Sequence, residues 1–363
     1  MTFLSRRETL FGAAGGLAAL ASPAFAATAN SGPTLASIAK SRELLFGASI
    51  ADDIFRDDAY RALYVKETSI VTTDYALKFS AVRARPAIAD YSGGDALVDF
   101  ARANGLQVRG HTLIWNDDMP AWVKGLSRRE VEALFDKHID ETVSRYAGRL
   151  HSWDVVNEPF WPDHRAPRNY RRGPWYDALG PSYVPQALRR ARRLDPAAKI
   201  TLNEAFCERN DAFGKTVRGS FIALIDELRD QDAPLDAVGF QGHLKPQYDY
   251  SDEAFAEFLH RVAQRKLDIY ITELDVDDSS FANDPATRDR QVAERYASFL
   301  RHVLAVPEVK IVITWQLADK FSGMRDPALP NRGRPARPLP FDDDLARKPA
   351  WRAIADAFAA RAI

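Results

Sequence analysis

The stretch that decides the fold runs Ser152-Trp153-Asp154-Val155-Val156-Asn157-Glu158. It is short and mainly apolar, and it ends in an amide and a carboxylate. Seven further runs share its length and character: Leu45–Ser49, Ser69–Thr72, Val108–His111, Ile200–Asn203, Val238–Gln241, Ile269–Glu273 and Ile311–Trp315. Runs of this kind, bounded by polar residues, predict buried strands.

Longer amphipathic segments separate these strands and predict helices. The clearest begins with Ser127-Arg128-Arg129-Glu130, which has the pattern of a capping box, and continues to Tyr146. Others span residues 96–104, 183–194, 215–229, 253–265 and 288–304. Strand and helix alternate eight times without a Ser/Gly/Pro-rich linker. This predicts one α/β domain, a parallel (β/α)8 barrel, rather than an open doubly wound sheet.

Composition and charge narrow the classes of function. The chain has 363 residues, 46% of them hydrophobic, and a formal net charge of -1, so it can bury a large core and offers no broad field for nucleic acid. Cys207 is the only cysteine, which excludes an intramolecular disulfide and a multi-cysteine zinc site. We expect a neutral partner and a monomeric chain.

The N-terminus has the features of an export signal. Ser5-Arg6-Arg7 precedes an apolar stretch from Leu10 to Leu20, and Ala24-Phe25-Ala26 supplies a small-x-small cleavage site. The paired arginines favour the twin-arginine route. We therefore predict a signal over residues 1–26 and a catalytic barrel over 27–363, exported to the periplasm or secreted, with no membrane span in the mature protein.

Polar and aromatic side chains cluster where the predicted strands end. In chain order they are His111, Trp115, Asn157, Glu158, Asn203, Glu204, Gln241, His243, Glu273, Asp275 and Trp315. The carboxyl ends of barrel strands form the active-site face in this architecture. Glycoside hydrolysis needs one carboxylic acid and one carboxylate flanking the bond, and Glu158 and Glu273 supply both. No His-Glu-x-x-His motif occurs, so we expect neither a metal nor another cofactor.

Two of these segments resemble the catalytic signatures of glycoside hydrolase family 10, the endo-β-1,4-xylanase family. They are Trp153-Asp154-Val155-Val156-Asn157-Glu158 and Ile271-Thr272-Glu273-Leu274-Asp275. Further matches are Arg109-Gly110-His111-Thr112-Leu113-Ile114-Trp115, Val238-Gly239-Phe240-Gln241-Gly242-His243-Leu244, Trp175 to Tyr183, and Lys348-Pro349-Ala350-Trp351. The resemblance covers the chain from about Phe46 to Ile354.

The resemblance implies a role for each site residue. Glu158 corresponds to the acid/base and Glu273 to the nucleophile of a double displacement with retention. His243 would hydrogen-bond the nucleophile, and Asp275 would fix its ring. The residues implied to bind substrate are Lys78, His111, Trp115, Asn157, Gln241, His243 and Trp315. The implied substrate is xylan, cleaved internally.

Four positions depart from the family pattern. Asp74 and Tyr75 stand where Glu-Asn is usual, and Asn116 follows Trp115 where His is usual. Gly323 stands where a second tryptophan is expected. These changes leave open another β-glycan or an acidic exopolysaccharide as substrate, cleaved by the same retaining mechanism.

Two weaker possibilities come from other features. The arginines of residues 165–172 are typical of a solvated loop, with contact to uronic acids as the functional alternative. A barrel that binds glycans without cleaving them is a further alternative, although such a protein would not need both Glu158 and Glu273.

Overall fold

The structure is a computed structural model that describes residues 32–326, 329 and 333–362. Within it, the described residues from Thr34 onward form one compact unit. The predicted export signal, residues 1–26, lies outside the described residues.

The described strands form the predicted parallel barrel. They are β1 Leu45–Ile50, β2 Ile70–Thr73, β3 Gln107–Trp115, β4 Ser152–Asn157, β5 Lys199–Glu204, β6 Ala237–Phe240, β7 His243–Leu244, β8 Asp268–Val276 and β9 Val309–Thr314. Neighbouring strands pair in parallel from β1 to β6, β6 pairs with β8, and β9 closes the ring on β1. The eight-stranded prediction is confirmed. The two-residue strand β7 was not predicted, and it pairs with the end of β8 outside the ring.

Helices surround the ring. They are α1 Leu35–Lys40, α2 Asp58–Glu67, α3 Phe79–Val82, α4 Ser92–Ala103, α5 Arg128–Tyr146, α6 Pro174–Leu179, α7 Tyr183–Leu194, α8 Ala212–Asp230, α9 Asp252–Ala263, α10 Pro285–Val303 and α11 Pro349–Ala360. The capping box before α5 is present, because the Glu130 carboxylate accepts a hydrogen bond from the Ser127 amide at 2.7 Å and Ser127 Oγ accepts one from the Glu130 amide.

The core has two parts. Most buried apolar side chains lie between the ring and the helices, and Cys207 is among them. A smaller cluster fills the ring near the strand starts and consists of Ile70, Ala237, Tyr270, Ile311 and Ile313. Gly47 permits close approach of β1 and β2, since a Cβ there would lie 1.8 Å from the carbonyl oxygen of Ile70.

The parallel direction of the ring strands places their polar carboxyl ends on one face of the barrel. All eight ring strands run in one direction, so their carboxyl ends open on the same face. The bottom of the ring is filled by apolar side chains, and chemistry is therefore confined to this mouth. No helix in the described part of the chain is long and apolar enough to cross a membrane.

Candidate active site

The mouth of the barrel contains a cavity of about 280 Å³. Its lining includes nine of the ten predicted site residues: Lys78, His111, Trp115, Asn157, Glu158, Gln241, His243, Glu273 and Trp315. The tenth, Asp275, lies behind His243 and contacts its ring. Residues scattered from α3 to β9 thus meet at one place.

Glu273 is held as a carboxylate inside β8. It is 5% exposed, and its oxygens accept hydrogen bonds from Asn203 Nδ2 at 2.8 Å and from His243 Nε2 at 3.2 Å. Burial is the largest influence and raises its pKa, but the hydrogen bond from His243 and the charges of His111, His243 and Lys78 together lower the pKa below its ordinary value. The group is therefore ionised and available as a nucleophile.

His243 links this carboxylate to a second one. Its Nδ1 contacts Asp275 Oδ1 at 2.8 Å. Burial is the largest influence and lowers the pKa of His243, yet the charge and hydrogen bond of Asp275, with those of Glu273, raise it to about 10. At neutral pH the ring carries both protons, so it donates to Glu273 and to Asp275 at once.

Glu158 follows the end of β4 in a left-handed backbone conformation, with φ of +48°. Its amide donates to the carbonyl oxygen of Asn203 at 2.8 Å. Both carboxylate oxygens accept hydrogen bonds, one from Gln241 Nε2 at 2.8 Å and the other from Arg171 at 2.7 Å. A residue other than glycine in this region is strained, and such strain is common where a functional side chain must face one direction.

Arg171 is a site residue that the sequence analysis missed. It belongs to the arginine-rich segment predicted to be a solvated loop, and for this residue the prediction is wrong. Arg171 is 2% exposed, donates to the carbonyl oxygen of Glu158 at 2.9 Å, pairs with Asp117, and stacks 4.5 Å from the Trp161 ring centre. The apolar Tyr170 before it and the Gly-Pro-Trp after it were the signals of a buried segment.

The other arginines of this segment face outward. Arg168 pairs with Glu227, and Arg172 lies 3.4 Å from Asp177. Both arginines are more than half exposed, as the loop prediction requires.

His111 is fixed by a buried ion pair. Its Nδ1 lies 3.0 Å from Asp154, which also pairs with Arg109 and accepts a hydrogen bond from Thr201 at 2.7 Å. Burial, the largest influence on Asp154, raises its pKa, but Arg109, His111 and Thr201 lower it below the ordinary value. Arg109 and Asp154 are both fully buried, so this network positions the His111 ring rigidly.

An ammonium group lies between two indoles across the cleft. Lys78 Nζ is 5.3 Å from the Trp115 ring centre and 5.7 Å from that of Trp315. The Trp315 ring also meets His111 and His243 edge to face, at 5.7 and 6.1 Å between ring centres. Flat apolar faces beside a hydrogen-bond donor suit the ring of a sugar and its hydroxyls.

Two further carboxyls lie close to the site, and neither was assigned a role from the sequence. Glu204 is fully buried and accepts hydrogen bonds from the amides of Ala205 and Phe160. Glu208 lines the cleft and accepts one from the Gly242 amide at 2.6 Å. Burial is the main cause of a raised pKa in both.

Asp74 and Tyr75, two of the positions that depart from the family pattern, contact other side chains of the protein. Asp74 accepts a hydrogen bond from Gln316 Nε2 at 2.8 Å. The Tyr75 ring is 55% exposed, and its hydroxyl lies 3.0 Å from Ser80 Oγ. The amide of Ser80 donates in turn to Asp118. These side chains reshape the rim beside β2.

Asn116 does not face the cleft. Its Oδ1 accepts hydrogen bonds from the amides of Trp175 and Tyr176, at 3.1 and 3.3 Å. It therefore holds the start of α6 rather than a ligand. Within the described residues, no cluster of three or more histidine, cysteine, aspartate or glutamate side chains is arranged to hold a metal ion.

The site consists of two glutamates in different surroundings at one barrel mouth. Glu273 is held ionised, and Glu158 stands on another strand between two donors. A carboxyl pair across a sugar-sized cleft is the machinery of glycosidic bond hydrolysis. The class that fold and site define is a glycoside hydrolase.

Comparison with known proteins agrees. The family model for glycosyl hydrolase family 10 matches residues 34–357, and the chain belongs to that family. Endo-1,4-beta-xylanase C of Phanerodontia chrysosporium is 31% identical over 324 residues, 88% of this chain and 77% of that protein. The crystal structure of xylanase 10B from Thermotoga petrophila in complex with xylobiose superposes with a TM-score of 0.80 at 27% identity, over 90% of this chain and 97% of that one.

Proposed function

We propose that the protein is a retaining endo-β-1,4-xylanase that hydrolyses internal bonds of xylan. The observation that carries the proposal is that Glu158 and Glu273, at the ends of different strands, line one cavity. Glu273 is held as an anion by His243 and Asn203, and Glu158 accepts hydrogen bonds from Gln241 and Arg171. The names of the similar proteins in the family support xylan as the substrate.

The reaction takes two steps. In the first, Glu273 attacks the anomeric carbon while protonated Glu158 gives its proton to the leaving oxygen, which leaves a glycosyl ester on Glu273. In the second, Glu158 removes a proton from water, and the water oxygen displaces Glu273 from the same carbon. Two inversions give net retention. His243 and Asn203 stabilise the departing carboxylate because they already donate to it.

Bound substrate must alter the contacts of Glu158. In this structure both carboxyl oxygens of Glu158 accept hydrogen bonds, one from Gln241 and the other from Arg171. The protonated form needs one oxygen turned to the leaving group, so either Gln241 or Arg171 must release its acceptor. The Gln241 amide is neutral, whereas the Arg171 guanidinium is charged and binds the carboxylate more strongly. We therefore expect Gln241 to release Glu158 and to hydrogen-bond a sugar hydroxyl.

The contacts of the residues around the two glutamates support roles in orienting His243 and in binding the sugar. Asp275 fixes the His243 ring, and Lys78, Trp115 and Trp315 form a binding cleft with His111 and Asn157.

Product analysis on xylan tests the activity. The protein should release short xylo-oligosaccharides from internal bonds, with β-anomers formed first in proton NMR spectra, because retention preserves the substrate configuration. Glu273→Ala, tested in parallel, should lose turnover while binding xylo-oligosaccharides. Initial α-anomers would contradict the double displacement, and binding without any turnover in the unaltered protein would favour the non-catalytic alternative.

We also propose export through residues 1–26 by the twin-arginine route, followed by action as a monomer. The sequence Ser5-Arg6-Arg7 supports the route. Replacing Arg6 and Arg7 by lysine should retain the protein in the cytoplasm, as fractionation of producing cells would show. Light scattering tests the monomer, and a mass near twice that of one exported chain would contradict it.

A further inference from the structure

A second cavity opens beside the catalytic cleft. Its volume is about 460 Å³, against about 280 Å³ for the cleft, and the two share His243, Lys245 and Trp315 in their linings. Gly323 and Met324 lie on its outer wall. We call this cavity the side pocket. Ligand pockets begin at roughly 300 Å³, so the side pocket has room for a sugar ring in addition to one bound in the cleft.

Gly323 keeps the side pocket open. It begins a short 3-10 turn, and a Cβ built on it would meet no atom within 4 Å. The missing side chain therefore leaves space rather than relieving a clash. From the family resemblance we expected a tryptophan at this position.

Lys245 brings a positive charge to the side pocket. It follows β7 and is partly buried, and no hydrogen bond or ion pair of its ammonium group occurs among the described residues. Its charge acts on the site nonetheless. Burial is the largest influence on Asp275 and raises its pKa, whereas the charges of His243 and Lys245 lower it.

The remaining charges of the lining already have partners. Asp275 contacts His243 at 2.8 Å. Asp278 lies 3.1 Å from Arg288 and accepts a hydrogen bond from the Arg337 amide at 3.0 Å. Asp277 accepts one from the Ser279 amide at 2.8 Å. Arg334 donates to the backbone carbonyls of Asp278, Phe281 and Ala282 and to the side chain of Asn283.

We propose that the side pocket binds a carboxylate-bearing sugar of the substrate, with the Lys245 ammonium as its counter-ion. The proposal rests on the proposed function, because it takes the substrate to be a β-glycan cleaved between Glu158 and Glu273. His243, which donates to Glu273, lines both cavities. The acidic sugar is therefore attached to, or part of, the unit next to the cleaved bond. It is either a uronic acid branch or a uronic acid of the main chain.

Matched oligosaccharides separate charge from shape. The substrates are a linear xylo-oligosaccharide, one with a glucuronic acid branch, the same branched compound after reduction of its carboxyl to a hydroxymethyl group, and an oligosaccharide with glucuronic acid in its main chain. Initial rates give kcat/KM for each. Calorimetric titration of the same compounds into full-chain protein measures binding without turnover.

Four variants isolate the proposed contacts. Lys245→Met removes the charge and keeps the stem, Lys245→Arg restores a cation, and Gly323→Trp fills the cavity. Lys66→Gln is the control, since Lys66 is exposed at the end of α2, which leads to the start of β2 at the opposite end of the ring.

Lys245→Met should lower kcat/KM for an acidic compound, relative to its carboxyl-reduced partner, about tenfold, the scale of one hydrogen bond to a charged group. Lys245→Arg should restore most of the ratio, and Lys66→Gln should leave it unchanged. Gly323→Trp should disfavour both branched compounds relative to the linear one. If Lys245→Met weakens cleavage of the branched compound, the side pocket binds a uronic acid branch. If it weakens cleavage of the main-chain compound, the side pocket binds a uronic acid of the main chain.

The outcomes distinguish failure of the side pocket from failure of the proposed function. Cleavage of linear xylan with the same acidic-to-reduced ratio in Lys245→Met as in the native protein would overturn the side pocket and leave the proposed function standing. Binding of an acidic compound that depends on Lys245, without cleavage of any glycan, would support the side pocket and overturn the proposed function. Neither cleavage nor binding would overturn both.

Discussion

Replacing Arg171 by methionine tests whether this buried arginine holds the active site together. The guanidinium is 2% exposed and donates to the Glu158 carboxylate at 2.7 Å and to its backbone carbonyl at 2.9 Å. Methionine fills similar volume but leaves Glu158 and Asp117 without their cation. Removing one partner of a buried ion pair costs about 3–5 kcal/mol, and we expect the free energy of unfolding to fall by that amount.

A double-mutant cycle assigns the loss to the ion pair. In a Glu158→Gln background the carboxylate charge is already gone, so Arg171→Met should cost at least about 1 kcal/mol less than in the native background. Urea unfolding followed by tryptophan fluorescence measures all four proteins. Arg172→Met is the matched control, because Arg172 is 57% exposed and its pair with Asp177 is long, and it should change stability by about 0.5 kcal/mol or less.

Two results would refute this reasoning. One is a loss in Arg171→Met no larger than that in Arg172→Met. The other is an equal loss with and without the Glu158 charge, which would mean that the arginine acts through Trp161, Asp117 and the Glu158 backbone carbonyl rather than through the Glu158 carboxylate. Activity provides a second measurement, since a displaced Glu158 should lower kcat/KM at least tenfold even in the fraction that stays folded.

Three further changes test other parts of the structure. His243→Asn removes groups that lower the pKa of Glu273, so the acidic limb of the pH profile of kcat/KM should move up by about one pH unit or more; an unmoved limb would contradict the assignment. Asp154→Asn breaks a fully buried pair and should cost about 3–5 kcal/mol at pH 7. The pKa of Asp154 is lowered in the folded state, so its contribution to stability is present above pH ~4 and is lost as pH falls below that value. The urea midpoint of the variant should therefore approach that of the native protein in acid. Equal losses of stability at pH 7 and pH 3 would contradict this. Gly47→Ala places a Cβ 1.8 Å from a backbone oxygen and should destabilise the barrel by about 3 kcal/mol or more, whereas Gly219→Ala, in an open helical position, should be neutral or slightly stabilising in the same unfolding assay.

The sequence predicted the barrel because each ring strand carries its own signal. An apolar run that ends in a polar residue marks both the strand and the face on which it opens, as Ser152 to Glu158 does. Nine predicted site residues line one cavity for the same reason. Their catalytic and binding roles remain predictions that the experiments above test.

What the sequence could not give depends on contacts between distant segments. Asn203 donates to both Asn157 and Glu273, yet nothing local to residue 203 indicates a double contact. Arg171 lies in a charged segment whose burial is decided by packing on Trp161. That the Lys245 ammonium has no hydrogen bond or ion pair with a described residue can be learned only from the partners of the neighbouring charged side chains.

The cleft needs the ring to be closed by the pairing of β1 with β9. Leu45 of β1 pairs with Ile311 of β9, and Trp315, which follows β9, contacts Lys78, which is distant from it in sequence. During refolding, helices and neighbouring strand pairs can form while the ring is still open, but sugar binding cannot. Recovery of activity therefore reports ring closure. In a chain refolded from denaturant, it should lag behind the recovery of the helical circular dichroism signal.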